Sequence, residues 1–235
     1  MVQVVFSPKW FWGKDIFIDS IALLVLLSIA IFATKYYRIK KSKNYFYLAL
    51  SFYLISLSFF SKILINFTIY YQVLHTQMIG SIEYTQTILK SSEILAVSGL
   101  FFYRLFTLLG LFMLYSINEK QSKANIILMV YFIIISIFFS KEEYYIFYLT
   151  CFIFLGVISN RYYRNYKKNR ENTSGMLAAS FSVIALSQIF FMFVNFTKHF
   201  YVVGEVIQLL GYILLLVTFI LVLKHGREKN KSRHH

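Results

Sequence analysis

The feature that most constrains this chain is a series of seven apolar stretches, each close to the length of a membrane-spanning helix. A helix needs about 20 mostly apolar residues to cross the hydrocarbon core of a bilayer. A spanning segment must also satisfy its own backbone hydrogen bonds, which favours helices. We therefore predict an all-α, polytopic membrane protein with seven transmembrane helices, at about 16–34, 45–66, 93–116, 124–140, 144–160, 176–197 and 200–223.

Composition and the placement of charge agree with a multi-pass protein of the cell membrane. Of the 235 residues, 58% are hydrophobic and 14% are charged, which is too apolar for an ordinary soluble domain. Seventeen of the 24 lysines and arginines fall in alternate loops and the C-terminal tail, and five fall on the opposite side. The positive-inside rule then predicts that the N-terminus is outside and the C-terminus inside. The net charge of +14 orients the protein in the lipid bilayer, and we expect no nucleic-acid partner.

The sequence carries no signature of an enzyme or of a cofactor site. Zinc-protease, nucleophile-elbow and phosphate-loop motifs do not occur in it. Cys151 is the single cysteine, so no disulfide can form within the chain. The five histidines show no metal-ligand spacing inside a span, and His234 and His235 could belong to a purification tag. We expect no enzymatic activity, no metal and no cofactor.

Two segments of the chain share sequence. Residues 48–68 and 177–197 align without a gap, are identical at 10 of 21 positions, and both end in Asn-Phe-Thr. The alternative is convergent composition, because apolar helices share Leu, Ser and Phe easily. Both copies run from inside to outside in the predicted topology, which makes the two halves of the chain parallel. The predicted organisation is a first three-helix repeat over 16–116, a linker helix over 124–140, a second three-helix repeat over 144–223, and a basic cytoplasmic tail over 224–235.

The match extends more weakly into spans three and seven. Glu93 lies six residues before Gly99, as Glu205 lies six residues before Gly211. This alignment leaves a longer outer loop in the first half, over residues 69–92, which is predicted to form a lid or a surface helix.

Arg104 is the most informative ionisable residue, because charges inside a span are costly and are functional by default. It lies about eleven residues from either end of span three, close to the middle of the bilayer. We predict that Arg104 faces the bundle interior and pairs with Glu205, Asp19 or Glu93. Such a pair either lines a ligand site or only fixes helix packing.

Further polar residues fall in the outer halves of the spans. Lys62 lies near the outer end of span two, where it either snorkels to the interface or joins the site. Uncharged amides in spans six and seven add to this polarity, which predicts a polar cavity open to the outside. The predicted ligand-binding residues are Arg104, Glu205, Asp19, Lys62, Gln188, Gln208 and Asn195.

The layout resembles that of seven-helix membrane proteins of the opsin, receptor and SWEET-carrier type. The specific signatures of those families are missing: residues 200–223 hold no Schiff-base lysine, and Pro8, before span one, is the only proline. The sequence Tyr-Tyr-x-x-Lys-x-x-Lys followed by Tyr-Phe-Tyr-Leu-Ala-Leu-Ser-Phe is similar to prokaryotic seven-helix sensors and to uncharacterised archaeal membrane proteins. This resemblance implies a module that senses a ligand.

We hypothesise a sensor or receptor-like protein that binds a small polar or anionic ligand from the outer side. Its basic inner loops would bind anionic lipid head groups or a cytoplasmic protein that receives the signal. The alternatives are a small-molecule carrier with two rocking halves and a structural subunit without a ligand. In the weaker alignment Leu216 stands opposite Arg104, and this asymmetry favours a sensor over a carrier.

Overall fold

The computed structural model describes residues 7–76, 82–117, 122–140 and 143–231, and the side chains of these residues except those of 71–93 and 223–231. The described residues form one turn of 3-10 helix, Lys9–Phe11, followed by seven α-helices and no strand. The helices are α1 (Lys14–Lys40), α2 (Lys43–Thr76), α3 (Ile82–Ser116), α4 (Lys123–Phe139), α5 (Tyr145–Asn169), α6 (Asn172–Met192) and α7 (His199–Lys231).

Six of the helices in the described part of the chain are long and apolar enough to cross a membrane. This finding supports the prediction of a helical membrane protein. The remaining helix, α4, is apolar but has 17 residues, which gives about 25 Å at 1.5 Å per residue. Because the hydrocarbon core is about 30 Å thick, α4 as a seventh span stays a prediction.

Helix boundaries differ from the sequence-based prediction at both ends of the bundle, and at the predicted inner end α1, α5 and α7 continue to Lys40, Asn169 and Lys231. Of the two predicted alternatives for residues 69–92, a lid or a surface helix, the described residues are helical, because α2 continues to Thr76 and α3 begins at Ile82. Polar residues can continue a helix beyond the bilayer, where hydropathy no longer marks it. In the opposite direction, α6 ends at Met192, and residues 193–196 form a turn. Two predicted segments lie partly outside the described residues: positions 77–81 of the predicted outer loop and positions 232–235 of the predicted tail.

Six helices close into a ring in the order α1, α2, α3, α5, α6, α7, with α7 against α1. The side chains of Leu26, Phe52, Leu108 and Leu215 are fully or almost fully buried inside it. Helix α4 lies outside the ring, against α3 and α5. Most of its side chains are exposed, Ile127 to 70%, as expected for a helix that faces lipid.

Helices α3 and α5 run parallel, and this direction assigns a role to α4. Tyr103 near the middle of α3 contacts Phe147 at the start of α5, and Tyr115 at the end of α3 contacts Phe154 further along α5. Two neighbouring parallel helices need a connection that returns along the bundle. Helix α4 lies between α3 and α5 in the chain and contacts both of them.

The α1–α2 and α5–α6 turns have the same geometry. Each begins at a left-handed residue, Lys41 with φ 49° and Arg170 with φ 55°. Their backbone N–H groups donate to the carbonyl oxygens of Tyr37 and Tyr166, at 2.7 and 2.8 Å, as in a left-handed helix cap. The two turns lie 129 positions apart, the same offset that relates residues 48–68 to 177–197.

Two glycines allow close helix approach at positions that also correspond. A Cβ on Gly110 of α3 would lie 2.6 Å from Ile55 Cγ1, and one on Gly211 of α7 would lie 2.5 Å from Ile184 Cγ1. Ile55 and Ile184 are themselves 129 positions apart. By these contacts Gly211 corresponds to Gly110, whereas the Glu-to-Gly spacing predicted a match with Gly99, whose Cβ would meet Ile65.

Candidate functional site

Lys62, at the centre of the site, binds two carboxylates from two other helices. Its Nζ lies 2.8 Å from Oδ1 of Asp19 on α1 and 2.5 Å from Oε1 of Glu205 on α7. The side chains of Asp19 and Glu205 are 0% and 1% exposed, and that of Lys62 is 12% exposed. The predicted pairing of Arg104 with Glu205 or Asp19 is therefore wrong, because both carboxylates bind Lys62. We call these three residues the triad.

The surroundings of Lys62 explain why it does not snorkel to the membrane surface. Its Nζ lies 5.7 Å from the ring centroids of both Phe59 and Tyr201, within the range of a cation–π contact. Carboxylates and aromatic faces together replace the water that a lysine would otherwise seek. The triad thereby ties α2 to α1 and α7 inside the ring.

A second carboxylate on α1 ties the segment before that helix to α2. Asp15 is fully buried and accepts hydrogen bonds from its neighbour's backbone, Ile16 N–H at 2.8 Å, and from the Tyr70 hydroxyl. The Tyr70 ring stacks on Trp12 at 5.0 Å between centroids. Trp12 Nε1 in turn donates to the carbonyl oxygen of Ser7 at 3.1 Å. These contacts close the rim of the bundle at its predicted outer end.

Beside the triad lies a cavity of about 50 Å³, which we call the outer cavity. Residues of α2, α3, α5 and α7 and of the segment before α1 line it. Its polar lining consists of two cations, an amide, a serine and five tyrosines: Lys62, Arg104, Asn66, Ser7, Tyr70, Tyr103, Tyr144, Tyr148 and Tyr201. The apolar lining residues are Ile65, Ile69, Leu100 and Phe147.

Arg104 differs from Lys62 in having no ion pair within the described part of the chain. It is half-buried and lines the cavity. The side chain of its third predicted partner, Glu93, lies outside the described residues. Two more polar atoms of the lining residues, Asn66 Nδ2 and Ser7 Oγ, are buried without a hydrogen-bond partner among the described residues. The outer cavity thus offers unsatisfied donors to an acceptor.

The two predicted glutamines line a second, deeper cavity of about 20 Å³. Gln188 Nε2 donates to Ser187 Oγ at 3.0 Å, and Gln208 Nε2 donates to the Tyr212 hydroxyl at 3.4 Å. Tyr103 belongs to the walls of both cavities. Tyr103 therefore lies between the two cavities.

Asn195 is not part of either cavity lining. It is exposed on the turn after α6, and its backbone N–H donates to the Tyr144 hydroxyl at 3.4 Å. The same hydroxyl donates to the carbonyl oxygen of Met192 at 2.9 Å. Asn195 thus has a structural role in closing the turn.

The tyrosines are the site residues that sequence reasoning missed. Nineteen tyrosines occur in the chain, so composition alone singles out none of them. Two neighbourhoods carried a usable signal: Tyr103 directly precedes Arg104, and Tyr201 lies one helical turn before Glu205. The other three lining tyrosines, Tyr70, Tyr144 and Tyr148, have no charged site residue as a neighbour in the sequence.

Among the described residues, no group of three or more His, Cys, Asp or Glu side chains could hold a metal ion. The site offers instead two cations, buried carboxylates and phenol hydroxyls. No protein-family model, curated protein or solved structure matches this chain.

Proposed function

We propose that this protein is a seven-helix, receptor-like membrane protein that binds a small anion from the outer side, in the outer cavity. The observation that carries the proposal is the contrast between its two cations. Lys62 already binds two carboxylates, whereas Arg104 has no ion pair within the described residues and opens into the cavity. A half-buried guanidinium without a carboxylate among the described residues favours an anionic ligand.

The chemistry and the size of the cavity narrow the ligand class. A guanidinium binds planar anions through two parallel N–H donors. Phenol hydroxyls of the lining can donate further hydrogen bonds to the same ion. A buried water needs about 10–15 Å³ of cavity, so a cavity of about 50 Å³ has room for an ion of only a few heavy atoms. Nitrate, chloride and short carboxylates belong to this class.

Ligand binding can reach the inner side through the packing of α3 against α5. Both helices contribute lining residues at the outer end. At the other end, Arg161 Nη1 donates to the carbonyl oxygen of Tyr115 at 2.9 Å and joins the same two helices. An anion that draws Arg104 toward α5 changes the spacing of α3 and α5 only if it binds one spacing of these helices more tightly than the other. A separate inner partner or anionic lipid at the basic loops would detect the change.

The parallel repeat is part of this proposal, and three features support it. The two turns with left-handed caps and the two glycine contacts recur at matching positions. In addition, the contact of Asp19 with Lys62 recurs 129 positions later as the stacked rings of Tyr148 and Phe191, 5.1 Å apart. The same place in each half thus holds an ion pair in one and an aromatic pair in the other.

The glycine register also changes the partner of Arg104 in the repeat. Arg104 lies six residues before Gly110, and Glu205 lies six residues before Gly211. The two halves therefore carry opposite charges at matching positions. The earlier comparison of Arg104 with Leu216, which favoured a sensor over a carrier, no longer holds.

A carrier is therefore the second candidate function. The matching charges of Arg104 and Glu205 would suit a site shared by two rocking halves, and the deeper cavity beyond Tyr103 would continue the path. The receptor remains the first candidate function because the two halves differ at the position of the ion pair. Tyr148 and Phe191 replace Asp19 and Lys62 in the second half. A ring whose two halves differ in this way suits a single binding site in a fixed position, as in a receptor.

A thermal-shift screen of the purified protein in mild detergent tests anion binding. We expect nitrate, chloride, formate or acetate to raise the melting temperature. At an anion concentration 100 times the dissociation constant, binding stabilises the folded protein by about 2.7 kcal/mol. Arg104→Leu should abolish the shift. The matched control is Arg164→Leu, which removes an exposed arginine of α5 far from the cavity and should leave the shift intact. Equal shifts in wild type and Arg104→Leu would refute the site.

Uptake into proteoliposomes separates the two candidate functions. A receptor binds the anion without moving it, whereas a carrier exchanges labelled anion across the vesicle membrane. Uptake that Arg104→Leu abolishes and Arg164→Leu preserves would establish a carrier and overturn the receptor.

A further inference from the structure

We infer that the triad takes up one proton when the outer cavity binds its anion, so that the site holds an anion and a proton together. This inference rests on the proposed anion binding beside Arg104. It adds a second ligand, the proton, and assigns it to Asp19 and Glu205.

The first argument is the balance of charge inside the ring. Two carboxylates share the single ammonium of Lys62, so the triad has a net charge of −1 when both are ionised. Arg104 on the neighbouring cavity wall adds one positive charge, and the buried carboxylate Asp15 adds one negative charge. An anion beside Arg104 increases the net negative charge of this region of low dielectric constant, where unbalanced charge is costly. Of two carboxylates sharing one site, one then binds a proton readily.

One carboxylate oxygen of the triad accepts no hydrogen bond from the described residues. Asp19 uses Oδ1 to bind Lys62, while its Oδ2 is buried and has no hydrogen-bond partner among the described residues. Asp19 itself is fully buried. An ionised carboxylate normally accepts several hydrogen bonds on its two oxygens. The unsupported Oδ2 is therefore the atom of the triad that gains most from becoming an O–H group.

The proton step changes only one covalent bond of the protein. An O–H bond forms at Asp19 Oδ2, with a proton from hydronium or a buffer acid in the outer cavity, and no other bond of the protein breaks. Lys62 is the triad member that lines this cavity, so the proton passes beside its ammonium. When the anion dissociates, the proton returns to the solvent by the same route. The pair enters and leaves with no net charge.

The other ionisable groups around the triad do not compete for this proton. On α1 and α2, Asp15 already accepts hydrogen bonds from Ile16 N–H and from the Tyr70 hydroxyl. On α3, α5 and α7 the facing groups are Arg104, which stays charged, and three phenols, which as a class ionise only in alkaline solution. These phenols are Tyr103, Tyr148 and Tyr201.

Isothermal titration calorimetry with nitrate and chloride tests the inference. Neither ion takes up a proton itself near neutral pH, so any proton comes to the protein. Titrations at one pH in two buffers with different ionisation enthalpies should show uptake approaching one proton per anion. Because the bound state holds more protons, binding weakens as pH rises, by up to tenfold in the dissociation constant per pH unit.

Two variants locate the proton, and an exposed carboxylate serves as the control. Asp19→Asn and Glu205→Gln each remove one negative charge from the triad, so both should bind anion without proton uptake and with a flat pH dependence. Glu143→Gln changes an exposed carboxylate before α5 and should behave as wild type. If Asp19→Asn does not fold, Glu205→Gln still supplies the test.

The outcomes separate the inference from the proposed function. Anion binding to wild type without proton uptake overturns the inference and leaves the anion site standing. Uptake that persists in both triad variants overturns the assignment to these carboxylates. Failure of both nitrate and chloride to bind overturns the inference together with the function on which it rests.

Discussion

Replacement of Lys62 by methionine is the sharpest test of the packing described here. The substitution keeps an unbranched side chain, one heavy atom shorter, and removes the ammonium between two buried carboxylates. Removal of one partner from a buried ion pair costs about 3–5 kcal/mol, because a charge stays buried without compensation. An exposed pair would cost at most about 1 kcal/mol. With the Lys62 side chain 12% exposed and its partners at 0% and 1%, solvent screening is small and the larger figure applies.

The chain contains a reporter for this measurement. Cys151 is its only cysteine and is 1% exposed inside the ring. A maleimide therefore reacts with it only after unfolding, and the labelled fraction in mild detergent with increasing denaturant gives the free energy of unfolding. Lys62→Met should shift the transition by about 3–5 kcal/mol. Lys198→Met, which removes an exposed lysine from the α6–α7 turn, should stay within about 0.5 kcal/mol of wild type.

A compensating variant distinguishes lost charge from lost packing. The triple change Lys62→Met, Asp19→Asn and Glu205→Gln removes all three charges and should recover most of the stability lost in Lys62→Met, because a neutral replacement of a buried ion pair is often nearly neutral in free energy. A Lys62→Met variant within about 1 kcal/mol of wild type would refute a buried, mutually dependent triad.

Three further predictions concern packing and orientation. Gly211→Ala should destabilise the fold by about 1–3 kcal/mol in denaturant unfolding, because its Cβ would lie 2.5 Å from a side chain of α6. Gly156→Ala is the control and should not destabilise the fold, because no neighbouring atom lies within 4 Å of its Cβ. Tyr70→Phe should cost about 1–3 kcal/mol by the same assay, because it removes a hydrogen bond from a buried carboxylate of α1. A membrane-impermeant maleimide should label Asn195→Cys in intact cells but not Arg164→Cys; the reverse pattern would contradict an outer N-terminus.

The sequence was sufficient to predict helices and an interior polar region, because both follow from local properties. Apolar length identifies a span, and the depth of Arg104 inside its span identifies a charge that needs a polar interior. The partners of that charge could not be predicted in the same way. Whether Lys62 or Arg104 meets Glu205 depends on helix rotation and on which helices are neighbours in the ring, and a single sequence fixes neither.

The errors in register have a related cause. Glu93 and Gly99 matched Glu205 and Gly211 because the same two residue types recur six positions apart. The helix contacts depend instead on where backbones approach, and Gly110 is the residue of α3 that meets Ile55. In the proposed repeat the first half is longer, and residue types alone placed the extra residues in a loop, whereas α2 continues to Thr76 and α3 begins at Ile82.

The position of α4 outside the ring has a consequence for how this interior could become unequal. A ring made from two copies of one three-helix chain would contain every ionisable residue twice, so a lysine such as Lys62 would face a second lysine across the axis. Covalent connection through α4 frees each position to change on its own. In a single chain the two halves of the proposed repeat can differ at matching positions, with Lys62 and Arg104 in one and Phe191 and Glu205 in the other. The outermost helix is thus the one that permits a chemically asymmetric centre.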